Sequence, residues 1–176
     1  LADLVRRRGA QPQRLGEVIA EAYGYRGDSE TYDDLQNADI ARVLERRKGL
    51  PVALAILYLH LARGQGWDAE GLAFPGHFLI RVGIEGGRHV LDPFNDGQTV
   101  EAPDLRRLLQ RVLGPDVELA PEHFDAVPDR DVLLRLENNV RLRLANREDW
   151  AGAARALERM LAIAPDKPEL LFEAGQ

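Results

Sequence analysis

Side chains able to attack a substrate covalently are scarce in this chain. Its 176 residues include no cysteine, and the hydroxyl nucleophiles reduce to Ser29, Thr31 and Thr99, all in stretches without helical or strand periodicity. Disulfides, thiolate metal sites and cysteine nucleophiles are excluded together. What remains is histidine and carboxylate chemistry. His77 follows the turn dipeptide Pro75-Gly76, and Asp92 stands immediately before Pro93. An imidazole supported by a carboxylate can take a proton from water or from a substrate group. Each residue also has a plainer use: a histidine beside a turn bonds a backbone carbonyl, and an aspartate before proline forms a turn or pairs with an arginine, here Arg81. Strand alternation separates His77 and Asp92 from His89 by face, which argues against a metal site, and no metal or cofactor is expected. His60, on an apolar helical stretch, reads as a core or interface histidine, and His123 lacks ligand spacing.

The elements that must hold these residues change period in the middle of the chain. Residues 1–25 read as a short helix, a turn at Gly9-Ala10-Gln11-Pro12, and a second helix from Arg14 to Tyr23. Tyr25 to Asn37 is polar and aperiodic, hence a loop, with Asn37 or Asp39 capping the next helix. That helix, Ala38 to Arg47, turns Ile40, Val43 and Leu44 inward and is broken by Lys48-Gly49-Leu50-Pro51. Pro51 suits the first turn of another helix, where its missing N–H costs nothing. Val52 to Arg63 is apolar nearly all round, the pattern of a buried central helix.

Residues 70–74, 78–82 and 89–91 then form short apolar or β-branched runs, and Gly86-Gly87 between two of them is a hairpin signal, giving three antiparallel strands. With that turn Glu85 faces Arg88 and Asp92 faces Arg81, which leaves His77 several rungs away from Asp92. Ala102 to Leu113 is helical, and Gly114 to Pro128 is a Pro-rich linker. The fold class is α+β, a buried helix packed against a small antiparallel sheet.

From Val132 onward the pattern is all helical. Leu133, Leu136, Val140 and Leu144 mark one face, Asn146 to Asp149 a turn, and Trp150 to Ala164 a second helix closed by Pro165. This pair resembles one tetratricopeptide repeat, with Ala153, Leu157, Met160 and Pro165 at matching positions and Ala174-Gly175 where the next repeat has its small pair. Arg141 departs from the pattern, which has a small residue there. The division is a core domain over 1–125 and a helical repeat segment over 126–176. A single repeat cannot bury its own face, so this one docks on the core, on further helices or on a second protein.

Three segments carry the functional signal: Arg42 to Pro51 (RVLERRKGLP), Phe74-Pro75-Gly76-His77-Phe78, and Leu91-Asp92-Pro93-Phe94-Asn95. In that order, with Tyr25-Arg26-Gly27-Asp28 and Tyr32 upstream, they resemble the SirB-type branch of the transglutaminase-like superfamily over residues 15–110. The resemblance implies a papain-like core in which a cysteine opens the central helix, a histidine lies on one strand and an aspartate on the next. The histidine position matches His77 and the aspartate Asp92, while the nucleophile position falls at or next to Pro51, whose neighbours Leu50, Val52 and Ala53 offer no nucleophile either. Family members of this type often carry tetratricopeptide repeats after the core.

The net charge of −6 and pI near 5.3 disfavour nucleic acid as a partner. The clusters Arg6-Arg7-Arg8 and Arg46-Arg47-Lys48 sit among acids and read as solvated helix faces. No apolar run is long enough for a membrane span, and the cytoplasm is the default location. Leu1 is not an initiator and Met160 is the single methionine, so the sequence reads as a piece of a longer chain. The expected function is a catalytically inactive transglutaminase-like domain that binds a protein partner through its cleft or its helical repeat. The alternatives are a hydrolase or transferase in which His77 and Asp92 activate water, and a purely structural remnant. An open polar pocket at the mouth of the Pro51 helix favours the first two, and a filled one the third.

Overall fold

The computed structural model describes residues 11–84, 87–168 and 170. The expected first helix near Leu4 and Val5 lies outside them, as does the Ala174-Gly175 pair. The chain enters through α1 (Gln13–Gly16), which widens into a π-helical stretch over Glu17–Ala22 and buries Leu15, Val18 and Ile19. The stretch read as a loop contains β1 (Arg26–Gly27), which pairs in parallel with β2 (Lys48–Gly49) in the break after the next helix. Gly27 is required there, because a Cβ would lie 2.6 Å from the Phe94 ring. Asp39 is the cap of α2 (Ile40–Arg46), accepting from the N–H groups of Ala41 and Arg42. Asn37 is buried instead, donating to the Thr31 carbonyl and accepting from Arg46. Of the residues expected to face inward on α2, Val43 does so, but Leu44 is 45% exposed.

Helix α3 (Pro51–Gly64) is the centre of the molecule and buries eight of its side chains, from Val52 to Ala62. Its partner is a five-stranded sheet: β3 (Asp68–Leu72), β4 (Leu79–Ile84), β5 (Gly87–Asp92), β6 (Gln98–Thr99) and β7 (Ala126–Val127), in the order β6-β5-β4-β3-β7. Every neighbouring pair is antiparallel. Alternation along β4 separates two cores. Ile80 and Val82 pack with α3, whereas Leu79 joins Leu105 and Leu109 of α4 (Ala102–Leu113) on the other face.

Two expectations about the sheet need correction. The β4–β5 register pairs Gly83 with Arg88 and Arg81 with Val90, not Glu85 with Arg88 and Arg81 with Asp92. The Ile84–Gly87 pair closes the ladder, so Gly87, with φ 149°, belongs to the strand and not to the turn. A shift by two residues keeps every side chain on its own face while placing Asp92 one step beyond the Ile80–Leu91 pair, at the His77 end. In addition, the Pro-rich linker contains β7, which pairs with Gly71 and Leu72 at the sheet edge. A two-residue strand is too short to show a period.

Helix α5 (Asp129–Asn146) and α6 (Trp150–Ile163) form a hairpin capped by Asp149, which accepts from the Gly152 N–H. Val132 and Leu136 join the main core, while Leu134 packs with Met160 and Ala164. α5 thus buries two faces, and Leu133, expected inward, is 45% exposed. No helix among the described residues is long and apolar enough to cross a membrane.

Candidate functional site

His77 is presented by the turn between β3 and β4. Its N–H bonds the Phe74 carbonyl at 3.2 Å, with Pro75 and then Gly76 between them, and Gly76 has φ +67°. Proline followed by a residue of positive φ is the pattern of a type II turn. The conformation and the space both demand glycine, since a Cβ would sit 2.5 Å from Cγ2 of Val112 on α4. Phe78, 1% exposed, then anchors the start of β4.

Asp92 ends β5 and is 4% exposed. Its Oδ1 accepts from the N–H groups of Phe94 (3.0 Å) and Asn95 (3.2 Å), and its Oδ2 from Nδ2 of Asn95 (2.6 Å). The remaining approach to Oδ2 is taken by His77 Nε2 at 2.8 Å. The two family-matching residues therefore touch, and the register shift explains why they can. Burial alone raises the Asp92 pKa, but the bonds from His77 and Asn95 outweigh it and hold the carboxyl below its ordinary value. An ionised carboxylate only accepts, so Nε2 carries hydrogen and Nδ1 is the basic nitrogen of the neutral ring. That is the arrangement of a general base oriented by a carboxylate.

Pro51 and His77 line one polar pocket of about 60 Å³, with Tyr32, Val52, Arg135 and Asn139 among its other walls. Leu50, Pro51 and Val52 all line it; Leu50 and Val52 are 1% and 2% exposed, whereas Pro51 is half-buried. The mouth of the helix is open and polar, not filled. None of the three hydroxyl residues lines it. Thr31 donates to Asp28, Thr99 accepts from Gln13, and Ser29 is exposed.

The other singled-out residues lie elsewhere. Arg81 pairs with Glu70, not with Asp92. His60 is exposed on the rim of a separate groove and is no core residue. His89 stands opposite Val82, and Nδ1 of His123 accepts from the Ala120 N–H. Among the described residues no three histidine or carboxylate side chains gather as metal donors. Two residues of the site have roles that sequence reasoning missed. Asn95 lies within one of the three motifs, and an aspartate three residues ahead is the signal that it bonds back. Arg135 gives no signal, being one arginine among many on a helix. It lies 5.2 Å over the Phe78 ring and donates to the His77 carbonyl at 3.4 Å. Burial lowers its pKa, and the Tyr32 phenol offsets this only in part.

A central helix over an antiparallel sheet, with a His–Asp pair facing the helix start, defines a transglutaminase-like domain. The sequence profile of the transglutaminase-like superfamily matches residues 2–138, and the chain belongs to that family, in its SirB-type branch. It is 37% identical over 164 residues to a UPF0162 protein of Xylella fastidiosa, covering 92% of this chain and 58% of the relative. Similarity extends to Protein SirB1 of Salmonella typhimurium, at 25% identity over 94% of this chain and 63% of that protein. Human F-box only protein 21 is 30% identical over 90% of this chain, which spans 26% of its length. The chain thus spans a little over half the length of its bacterial relatives. No solved structure matches.

Proposed function

We propose that this chain is a transglutaminase-like domain without thiol catalysis that serves as a protein-interaction module, offering its pocket and its α5–α6 hairpin to a protein partner. One observation carries the reading: Pro51, which has neither a nucleophile nor an N–H, lines the same pocket as His77, whose ring meets Asp92. The hairpin supports it, because its small buried residues Gly152, Ala153 and Ala156 suit close helix packing of the tetratricopeptide kind. In this reading residues 1–125 are the core, residues 126–176 the repeat segment, and the setting is cytoplasmic. The match to a quarter of an F-box protein agrees with a module built into larger proteins.

The test is amine incorporation into a glutamine peptide, together with amide and ester hydrolysis, for the whole chain and for His77→Ala. The expected result is no turnover above buffer in either. A second reading, water activation by His77, is favoured by the 2.8 Å contact that leaves Nδ1 basic. Turnover that disappears in His77→Ala would establish it and remove the first.

A further inference from the structure

We propose that the Pro51–His77 pocket binds a carboxylate group of a partner peptide, with Arg135 as its principal ligand. The inference rests on the interaction-module reading and names the chemistry of the partner at that site.

The first observation is an arginine out of pattern. Arg14, Arg46, Arg81 and Arg143 are buried or half-buried, and each faces a carboxylate: Glu17, Asp28, Glu70 and Asp33; half-buried Arg141 makes two bonds to Asn138 Oδ1. Arg135 is half-buried too, yet among the described residues no carboxylate lies within ion-pair distance of it. A guanidinium has five N–H donors, and among the same residues one long bond to the His77 carbonyl is the only hydrogen bond it makes. Its carbon lies 5.2 Å from the Phe78 ring centroid, and a guanidinium fork is the group that receives a carboxylate in a bidentate pair.

The second observation is the pocket itself. It contains no aspartate or glutamate among its lining residues, in a chain that carries 29 acids against 23 bases. Its floor is the start of α3, whose N-cap Leu50 makes no side-chain hydrogen bond. The uncapped end of a fourteen-residue helix adds positive potential and backbone donors at Val52. Size then selects the ligand. A volume of about 60 Å³ is roughly the liquid share of two waters, room for a single small group such as a carboxylate.

A peptide can supply that group from an acidic side chain or from its carboxyl terminus. The experiment titrates the 15N-labelled whole chain with acetate and with acetamide, its neutral analogue, following the Val52 amide and the Arg135 side chain. Acetate shifts both signals and acetamide neither. Arg135→Gln weakens the acetate response at least tenfold. Arg135→Lys, which keeps the charge and loses the fork, gives an intermediate loss and serves as the comparison if the glutamine variant does not fold. A peptide ending in acetyl-Ala-Glu-amide and one ending in a free alanine carboxylate separate the two sources, and binding of either supports the site. Equal responses to acetate and acetamide, or an acetate response unchanged in Arg135→Lys and Arg135→Gln, overturn it. Acetate binding is read without turnover. Its failure leaves the inactivity reading intact, and His77-dependent turnover would sink that reading while leaving the carboxylate site standing.

Discussion

Pro51→Cys puts a thiol at the position proposed for the nucleophile, in one pocket with His77. The chain contains no other cysteine, so every alkylation event reports on that one position. The substitution gives up a proline at the first helical position, which costs about 0.4–1 kcal/mol through the unfolded state, and the domain remains folded. At position 51 the thiol lies at a helix start and in one pocket with His77 and Arg135, surroundings that lower a cysteine pKa from about 8.5 into the range of roughly 3.5–7.5. Taking about 6.5, the thiolate fraction at pH 6.5 is about one half against about one hundredth for a free cysteine, a ~50-fold gain. The less basic thiolate is also a weaker nucleophile, and a Brønsted slope of about 0.4–0.5 returns roughly 6–10-fold over two pKa units. The net acceleration of iodoacetamide alkylation at pH 6.5 is therefore about 5–8-fold.

The assay is the pH–rate profile of alkylation by intact-mass spectrometry, for Pro51→Cys alone and with His77→Ala. The inflection lies well below pH 8 in the single variant and moves toward 8.5 in the double. An inflection near 8.5 in both would show that position 51 does not meet His77. The nucleophile assignment would then be wrong, and with it the main support for inactivity.

Asp92→Asn leaves Oδ2's two donors, from His77 and Asn95, facing a group with half the acceptors. The expected loss is about 2–4 kcal/mol, or a Tm lower by roughly 5–15 °C for a chain of this size, read by calorimetry. Gly76→Ala meets Val112 at 2.5 Å and a φ of +67°. It destabilises by about 2 kcal/mol, of which Val112→Ala restores the steric part in a double-mutant cycle. Asp28 is 1% exposed; burial raises its pKa, but the Thr31 N–H and hydroxyl, with Lys48 and Asn37, bring it from 3.8 down to about 2. A depressed carboxylate contributes stability above its unfolded pKa that is lost as pH falls through the folded one. About 2 kcal/mol should therefore disappear between pH 4 and pH 2, and Asp28→Asn flattens that limb of the urea-stability profile. Leu157→Asp charges the cluster formed by Leu134, Met160 and Ala164. It costs about 2 kcal/mol or more, and unchanged denaturation would show that the α5–α6 face is not buried.

Continuous apolarity made α3 legible, because a helix buried on all sides needs no phase to be recognised. The three central strands were legible by alternation, and the α+β class came with them. Short pairings were not. β1, β2, β6 and β7 have two residues each, so their placement depends on distant contacts such as Gly27 against Phe94. Leu133 and Leu134 show a different limit. The 3.6 period chose one face of α5, whereas the helix packs against the core through Val132 and Leu136 and against α6 through Leu134. For the site, the motifs found His77 and Asp92, but a two-residue error in register hid their contact. Arg135 was invisible, because what distinguishes it is the carboxylate it lacks, and pairing is a property of the folded chain.

The His77–Asp92 contact alone does not decide between an active and an inactive domain. Three of the four hydrogen bonds that the Asp92 carboxylate accepts come from its own loop, from the Phe94 and Asn95 N–H groups and from the Asn95 amide. That loop also carries Phe94, which Gly27 approaches and against which Tyr32 sets its edge at 5.8 Å. Asp92 thus holds the turn that braces the Tyr32 wall of the pocket, whether or not a proton ever moves. His77 receives its orientation as a by-product, since its ring meets the one oxygen approach that the loop leaves open. In the proposed reading the chemistry of the site turns on the other wall, where a thiol would need the dyad and a carboxylate would need Arg135. Pro51 offers no thiol, and among the described residues no carboxylate pairs with Arg135.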